Sequence, residues 1–137
     1  MKRAELERYF KNGWVLISEK TYAIVKCRKA FPDAFAVIRD DKEVTCVIEE
    51  SEFADQRIQG IERDWRLITF DMILPFGLVG FIAQVSGALA KEGISILTFS
   101  AYSTDHIFVK NKDLDKTIKT LRKLGFLIRI PVRPDHT

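Results

Sequence analysis

The chain is poor in the residues that most chemistry needs. It holds two cysteines in 137 residues, Cys27 and Cys46. They stand far apart, form no C-x-x-C pair and have no histidine near them in sequence, so no thiol-based metal set or redox motif is present. Each lies in an apolar, strand-like run and reads as a buried, reduced thiol. Histidine is as scarce, with only His106 and His136. Around them there is no Ser-His-Asp order, no metal-spaced cluster, no P-loop and no G-x-G-x-x-G. Nothing marks an enzyme active site, and no cofactor or metal is implied. No apolar run approaches the ~18 residues of a membrane helix. The charged start, Met1–Arg8, lacks the apolar core of a secretory signal. The expectation is a cytoplasmic protein with no membrane partner. A net charge of +3 is too small to imply a nucleic-acid partner.

What the chain does have is core material. Hydrophobic residues make up 47% and include ten Phe, enough for one compact domain or two small ones. Trp14–Ile17 and Tyr22–Cys27 read as two strands separated by Ser18–Thr21. Ala34–Arg39 and Glu43–Ile48 read as a hairpin turned by Asp40-Asp41-Lys42. Glu49–Ile61 suggests at most a short helical turn, with Gly60 in a loop. The acids Glu49, Glu50 and Glu52 read as solvated groups at a strand end. The first ~60 residues are therefore mainly β, with one or two weak helices.

The second half has a clearer pattern. Trp65–Asp71 alternates as a strand does. After the loop Met72–Gly77, the spacing of Leu78, Ile82, Val85 and Leu89 predicts a helix over Leu78–Glu92, stopped by Gly93. Gly87 within it reads as a concession to close packing. Ile94–Ala101 and Ile107–Lys110 form a hairpin across Tyr102–Asp105. Asn111 is placed to cap a second helix, with Leu114, Ile118, Leu121 and Leu124 inward and Gly125 at its end. Lys116, Lys119 and Lys123 then fall on its wet face. Phe126–Ile130 is the last strand. The order β-α-β-β-α-β is the split βαβ, ferredoxin-like unit of the α+β class.

That topology puts the loop after the first strand and the hairpin between the second and third at the same end of the sheet. Pro75, Phe76, Gly77, Leu78, Val79 and Gly80 should meet Tyr102, Ser103, Thr104 and Asp105. The N–H groups of Gly77–Gly80 at a helix start suit a carboxylate. Asp105 suits an ammonium group. Phe76, Phe99 and Tyr102 are placed to wall a side chain. One anion seat and one cation seat match the two ends of an α-amino acid. Each feature also has a plain reading: Pro-Phe-Gly is ordinary punctuation before a helix, and an Asp in a turn often bonds its own backbone. His106 faces away from Asp105 if both lie in a strand. It reads as a partly exposed strand residue or as a ligand-orienting one.

The run Leu74-Pro75-Phe76-Gly77-Leu78-Val79-Gly80, together with Ile94-Ser95-Ile96 and Thr104-Asp105-His106, resembles the ACT-domain family. It is most similar to small tandem-ACT proteins of unassigned function, in the branch that includes the cytosolic arginine sensor of animals. The resemblance is strong over Trp65–Gly125 and weaker over Tyr22–Ile48, where those proteins carry a degenerate first unit. It implies a ferredoxin-like ACT domain at 63–133, a degenerate, mainly β ACT-like unit at 1–62 and a short tail at 134–137. It also implies regulatory binding of a small molecule, an amino acid, at interfaces between ACT units, with Gly77 or Gly80 as the loop glycine and Asp105 as the hairpin aspartate. A homodimer formed through sheet edges follows from the same resemblance. Many ACT regulators carry an Asp/Asn-x-Pro-Gly loop where this chain has Leu-Pro-Phe-Gly, so their serine-binding pattern does not carry over. The alternative function is a structural or protein-interaction module with a vestigial pocket.

Overall fold

A computed structural model describes residues 3–52 and 58–130. The elements are α1 (Arg3–Phe10), β1 (Trp14–Cys27), β2 (Ala36–Arg39), β3 (Val44–Glu49), a 3-10 turn (Glu50–Glu52), β4 (Ile58–Phe70), α2 (Phe81–Lys91), β5 (Ile96–Ser100), β6 (Asp105–Lys110), a second 3-10 turn (Asn111–Asp113), α3 (Leu114–Leu124) and β7 (Leu127–Arg129). They divide into two compact units, one drawn from the described parts of Met1–Glu19 and Arg66–Thr137, the other from Lys20–Trp65.

In the first unit the strand order is β7-β1-β4-β6-β5. The segment β4-α2-β5-β6-α3-β7 reproduces the expected β-α-β-β-α-β order, and β6 lies between β4 and β5. One feature departs from that simple order. The final strand pairs in parallel with β1, Trp14 opposite Leu127 and Leu16 opposite Arg129. Helix α1 adds to the expected elements. Leu6 and Phe10, four residues apart and so on one helical face, both enter the core. The ring of Phe10 stacks on Phe81 at 5.3 Å and meets Phe126 edge-on at 5.2 Å. Phe70 completes the aromatic cluster, 5.2 Å from Phe81 and 5.3 Å from Phe126. Around it Val15, Ile17, Ile68, Val85, Leu89, Ile107, Val109 and Leu121 have no solvent exposure. Gly13 joins α1 to β1 where a Cβ would lie 2.5 Å from the Tyr9 carbonyl oxygen.

Helix α2 begins later than its periodicity predicts, at Phe81 rather than Leu78, because Gly80 takes a left-handed φ of 92° as its N-cap. Its end matches: Gly93 N–H donates to Ala90 and Ile94 N–H to Leu89, with Gly93 at φ 73°, the pairing that closes a helix on a left-handed residue. The same pairing recurs after α3, from Gly125 to Arg122 and from Phe126 to Leu121. Asn111 does not cap α3. Its Oδ1 accepts instead from Arg66 Nη1 at 3.0 Å, and Asn111–Asp113 form the 3-10 turn. Leu121 is buried on α3 as predicted, and Thr117 and Thr120 join it by donating to carbonyls one turn back. Lys116, Lys119 and Lys123 are exposed.

In the second unit the order is β2-β3-β1-β4. The polar stretch Ser18–Thr21 does not break β1, which runs unbroken from Trp14 to Cys27. It contains no Gly or Pro, and half-exposed strand positions tolerate its polar side chains. Gly60 lies within β4 rather than in a loop. The β2–β3 turn forms where expected: Asp40 Oδ1 accepts from the N–H groups of Lys42 and Glu43, both at 2.8 Å. Those two bonds favour the ionised carboxylate and lower its pKa. Cys27 and Cys46 are buried thiols in this unit's core, with their sulfurs 3.4 Å apart. His136 and the expected tail at 134–137 lie outside the described residues.

Candidate functional site

The loop 71–80 and the turn 101–104 meet, as the topology requires. Leu74 N–H donates to the Ser103 carbonyl at 2.7 Å, and Ala101 N–H donates to Thr104 to close the turn. The rings of Phe76 and Tyr102 pack edge to face above this junction. Beneath them lies a cavity of about 200 Å³, lined by Leu74, Pro75, Phe76, Leu78 and Phe81 on one side and by Ser100–Asp105 on the other.

Most of the expected site residues converge there: Pro75, Phe76 and Leu78 from the loop, and Tyr102, Ser103, Thr104 and Asp105 from the hairpin. Gly77, Val79 and Gly80 do not line the cavity. Gly80 serves the backbone, since its φ is one that residues with a Cβ disfavour. Gly77 has no such constraint, and a Cβ there would meet nothing within 4 Å. Phe99 also stays outside. Its ring packs on Phe108 at 5.6 Å, because successive strand residues face opposite ways. Leu74, the first residue of the loop run, lines the cavity as well, and so do Phe81, Ser100 and Ala101, which lie outside the expected set. Strand alternation was the signal for Ser100, which lies directly opposite Asp105 in the β5–β6 register. For Phe81 it was the one-turn spacing from Leu78.

The amino end of α2 differs from the expected anion seat in one respect. Leu78 N–H is already taken by the Pro75 carbonyl at 2.9 Å, so the groups without intrahelical partners start at the first turn of α2. That end has no side-chain cap and no acidic residue in its first turn. Its partial positive charge is uncompensated, which favours a carboxylate nearby. Phe81, the first residue of the helix, lines the cavity. Among the described residues Asp105 is the one charged residue in the lining, and it forms no salt bridge.

His106 supports the hairpin from behind. Its Nδ1 lies 2.9 Å from the Thr69 hydroxyl and its Nε2 3.4 Å from the Thr104 hydroxyl. Burial lowers its pKa, against an opposing pull from Asp105. A neutral imidazole fits these two hydroxyl partners, because one ring nitrogen then donates and the other accepts.

A second, larger hollow of about 480 Å³ lies along α1, α2 and α3, with Phe10 and Leu124 beside Glu7, Arg8, Lys11 and Lys123. Its wall mixes one acid with several cations, so it lacks the lone carboxylate of the first. Among the described residues no three His, Cys, Asp or Glu stand together as metal ligands, and no helix is long and apolar enough to cross a membrane.

A model of the ACT domain matches residues 60–123. Among solved structures, a protein from Agobacterium tumefaciens superposes with a TM-score of 0.78 at 23% identity, covering 92% of this chain and 98% of that one. A Vibrio cholerae protein of unknown function, described as a possible transport protein, gives 0.70 at 25% identity over 88% and 96% of the two chains. The regulatory subunit of aspartate kinase from Thermus thermophilus gives 0.60 at 10% identity over 80% and 95%. No curated protein matches the sequence.

Proposed function

We propose, from the match of residues 60–123 to a model of the ACT domain, that this chain is a regulatory module without catalytic activity, which binds an α-amino acid in the cavity between the 74–81 loop and the 100–105 turn. ACT domains are regulatory small-molecule-binding modules, and the Thermus neighbour is itself a regulatory subunit. The observation that carries the reading is the polarity of the cavity. One carboxylate, Asp105, is set among uncharged neighbours near the uncapped amino end of α2. An α-amino acid presents the complementary pair, an ammonium for Asp105 and a carboxylate for the helix amides. Gly77, Val79 and Gly80 would act by shaping the loop around that carboxylate.

The test is thermal unfolding of the full chain with each common amino acid at millimolar concentration. A ligand at ~100 times its dissociation constant adds ~2.7 kcal/mol to stability. If no amino acid moves the midpoint, the reading fails.

One observation favours the alternative of a protein-interaction module. Ile73, Phe76, Val79 and Tyr102 are each more than three-fifths exposed around the cavity mouth. Exposed apolar clusters of this kind mark association surfaces. A homodimer with the pocket at its contact accommodates both readings. The descent of Tyr22–Ile48 from a degenerate ACT unit, paired with the intact one, belongs to the same proposal, as does a cytoplasmic location.

A further inference from the structure

We infer that the ligand is an α-amino acid with an uncharged, apolar side chain of about valine-to-leucine size, and that the charged amino acids are excluded. The inference rests on the amino-acid reading above and adds the class of side chain.

The argument starts from charge. Among the described residues Asp105 is the one charged residue lining the cavity, and no Lys, Arg or His takes part. Its negative charge is matched by the ligand's own α-ammonium. A lysine or arginine side chain would bring a second cation with no second acid to receive it. An aspartate or glutamate side chain would bring an anion opposite a carboxylate, with no cation in the wall. Desolvating an unpaired charge is costly, and either class should bind about tenfold or more weakly than a neutral isostere.

The remaining wall decides polarity. Leu74, Pro75, Leu78 and Phe81 give an apolar surface on the loop side, with Phe76 and Tyr102 over it. The polar groups Ser100, Ser103 and Thr104 all stand on the Asp105 side, where the ligand's ammonium group would lie, while its carboxylate would lie at the first turn of α2. That leaves the side chain the apolar wall of Leu74, Pro75 and Leu78. Size follows from volume. About 200 Å³ is below the ~300–1,000 Å³ of drug-sized pockets and corresponds to roughly seven waters at ~30 Å³ each. That accommodates a compact branched side chain.

The closing experiment compares all common amino acids against the full-length wild-type chain by thermal shift, followed by calorimetric titration of valine, leucine, isoleucine, lysine, arginine, aspartate and glutamate. The expected result is a shift for the branched aliphatic set and at least about tenfold weaker binding for the four charged ones. Equal or tighter binding of any charged amino acid overturns this inference while leaving amino-acid binding intact. Silence from all of them overturns both. As a second arm, Leu78→Glu should move the preference toward lysine and arginine by supplying the missing acid, with Leu78→Met as the size control. The wild-type ranking decides the matter even if Leu78→Glu fails to fold.

Discussion

Phe76 and Tyr102 stack edge to face with ring centroids 4.9 Å apart, although 78% of Phe76 and 82% of Tyr102 faces solvent. Two large aromatic side chains from separate segments thus hold each other in the open, above a cavity they both line. Such a pair contributes about 0.5–1.5 kcal/mol. Tyr102→Ala should cost stability of that order or less in urea unfolding. In calorimetric titration it should weaken amino-acid binding several-fold. A variant that binds as tightly as wild type would remove these rings from the site.

Asp105→Ala should abolish the ligand-induced rise in melting temperature while leaving the unliganded midpoint within a few degrees, because Asp105 is half-exposed and forms no salt bridge among the described residues. A surviving shift would mean that the ammonium group is held elsewhere.

The two loop glycines should behave differently. Gly80→Ala forces a Cβ onto a φ of 92° and should cost about 1–2 kcal/mol. Gly77→Ala has neither a positive φ nor a neighbour within 4 Å, and should stay within about 0.5 kcal/mol of wild type. Equal losses in chemical denaturation would contradict the backbone assigned to this loop.

His106 predicts a pH effect. Burial lowers its folded-state pKa below the 6.5 of an ordinary histidine. The unfolded chain therefore binds more protons between the two values, and stability must rise with pH there. The contribution is complete above about pH 6.5 and is lost as pH falls through the ordinary value toward the folded one. The melting temperature should drop over that window, and His106→Gln should flatten the profile. A profile unchanged by the substitution would assign the drop to other groups.

Phe70→Ala should be severe. Phe70 is fully buried against Phe81 and Phe126, and deleting such a ring costs about 3–5 kcal/mol. Gly13→Ala should cost about 1–3 kcal/mol by overpacking, since its Cβ would also fall 2.8 Å from the Met72 methyl group. Urea unfolding measures both.

Much of this architecture was legible because its causes are local. In α2, Val85 and Leu89 are buried as the 3.6-residue period of apolar positions demands. Gly93 and Gly125 stop their helices because each is left-handed, at φ 73° and 114°. Asp40 makes its turn with bonds to its own near neighbours. Even the meeting of the 74–80 loop with the 102–105 turn was readable, because β-α-β-β order leaves those segments at one end of the sheet. Residues whose placement depended on distant partners were not readable in this way. Asn111 carries a good capping side chain, but Arg66, 45 residues earlier, claims it. Phe99 is a different case: strand alternation already sets it on the face opposite Ser100, and there it packs on Phe108.

The cavity itself shows where the division falls. Sequence alone determined which residues stand at that end of the sheet: a Pro-Phe-Gly loop, a helix start and an Asp-bearing hairpin, each set by short-range periodicity and turn chemistry. Tertiary structure alone decided which of them face inward. Leu78 turns in one residue before the exposed Val79, Gly80 is spent on the helix start, and Phe81 rather than Leu78 opens α2. The reason is physical. Spacing along a chain assigns a residue to a face, but the choice of packing partner is a competition between groups far apart in sequence, and only the folded chain brings those groups together.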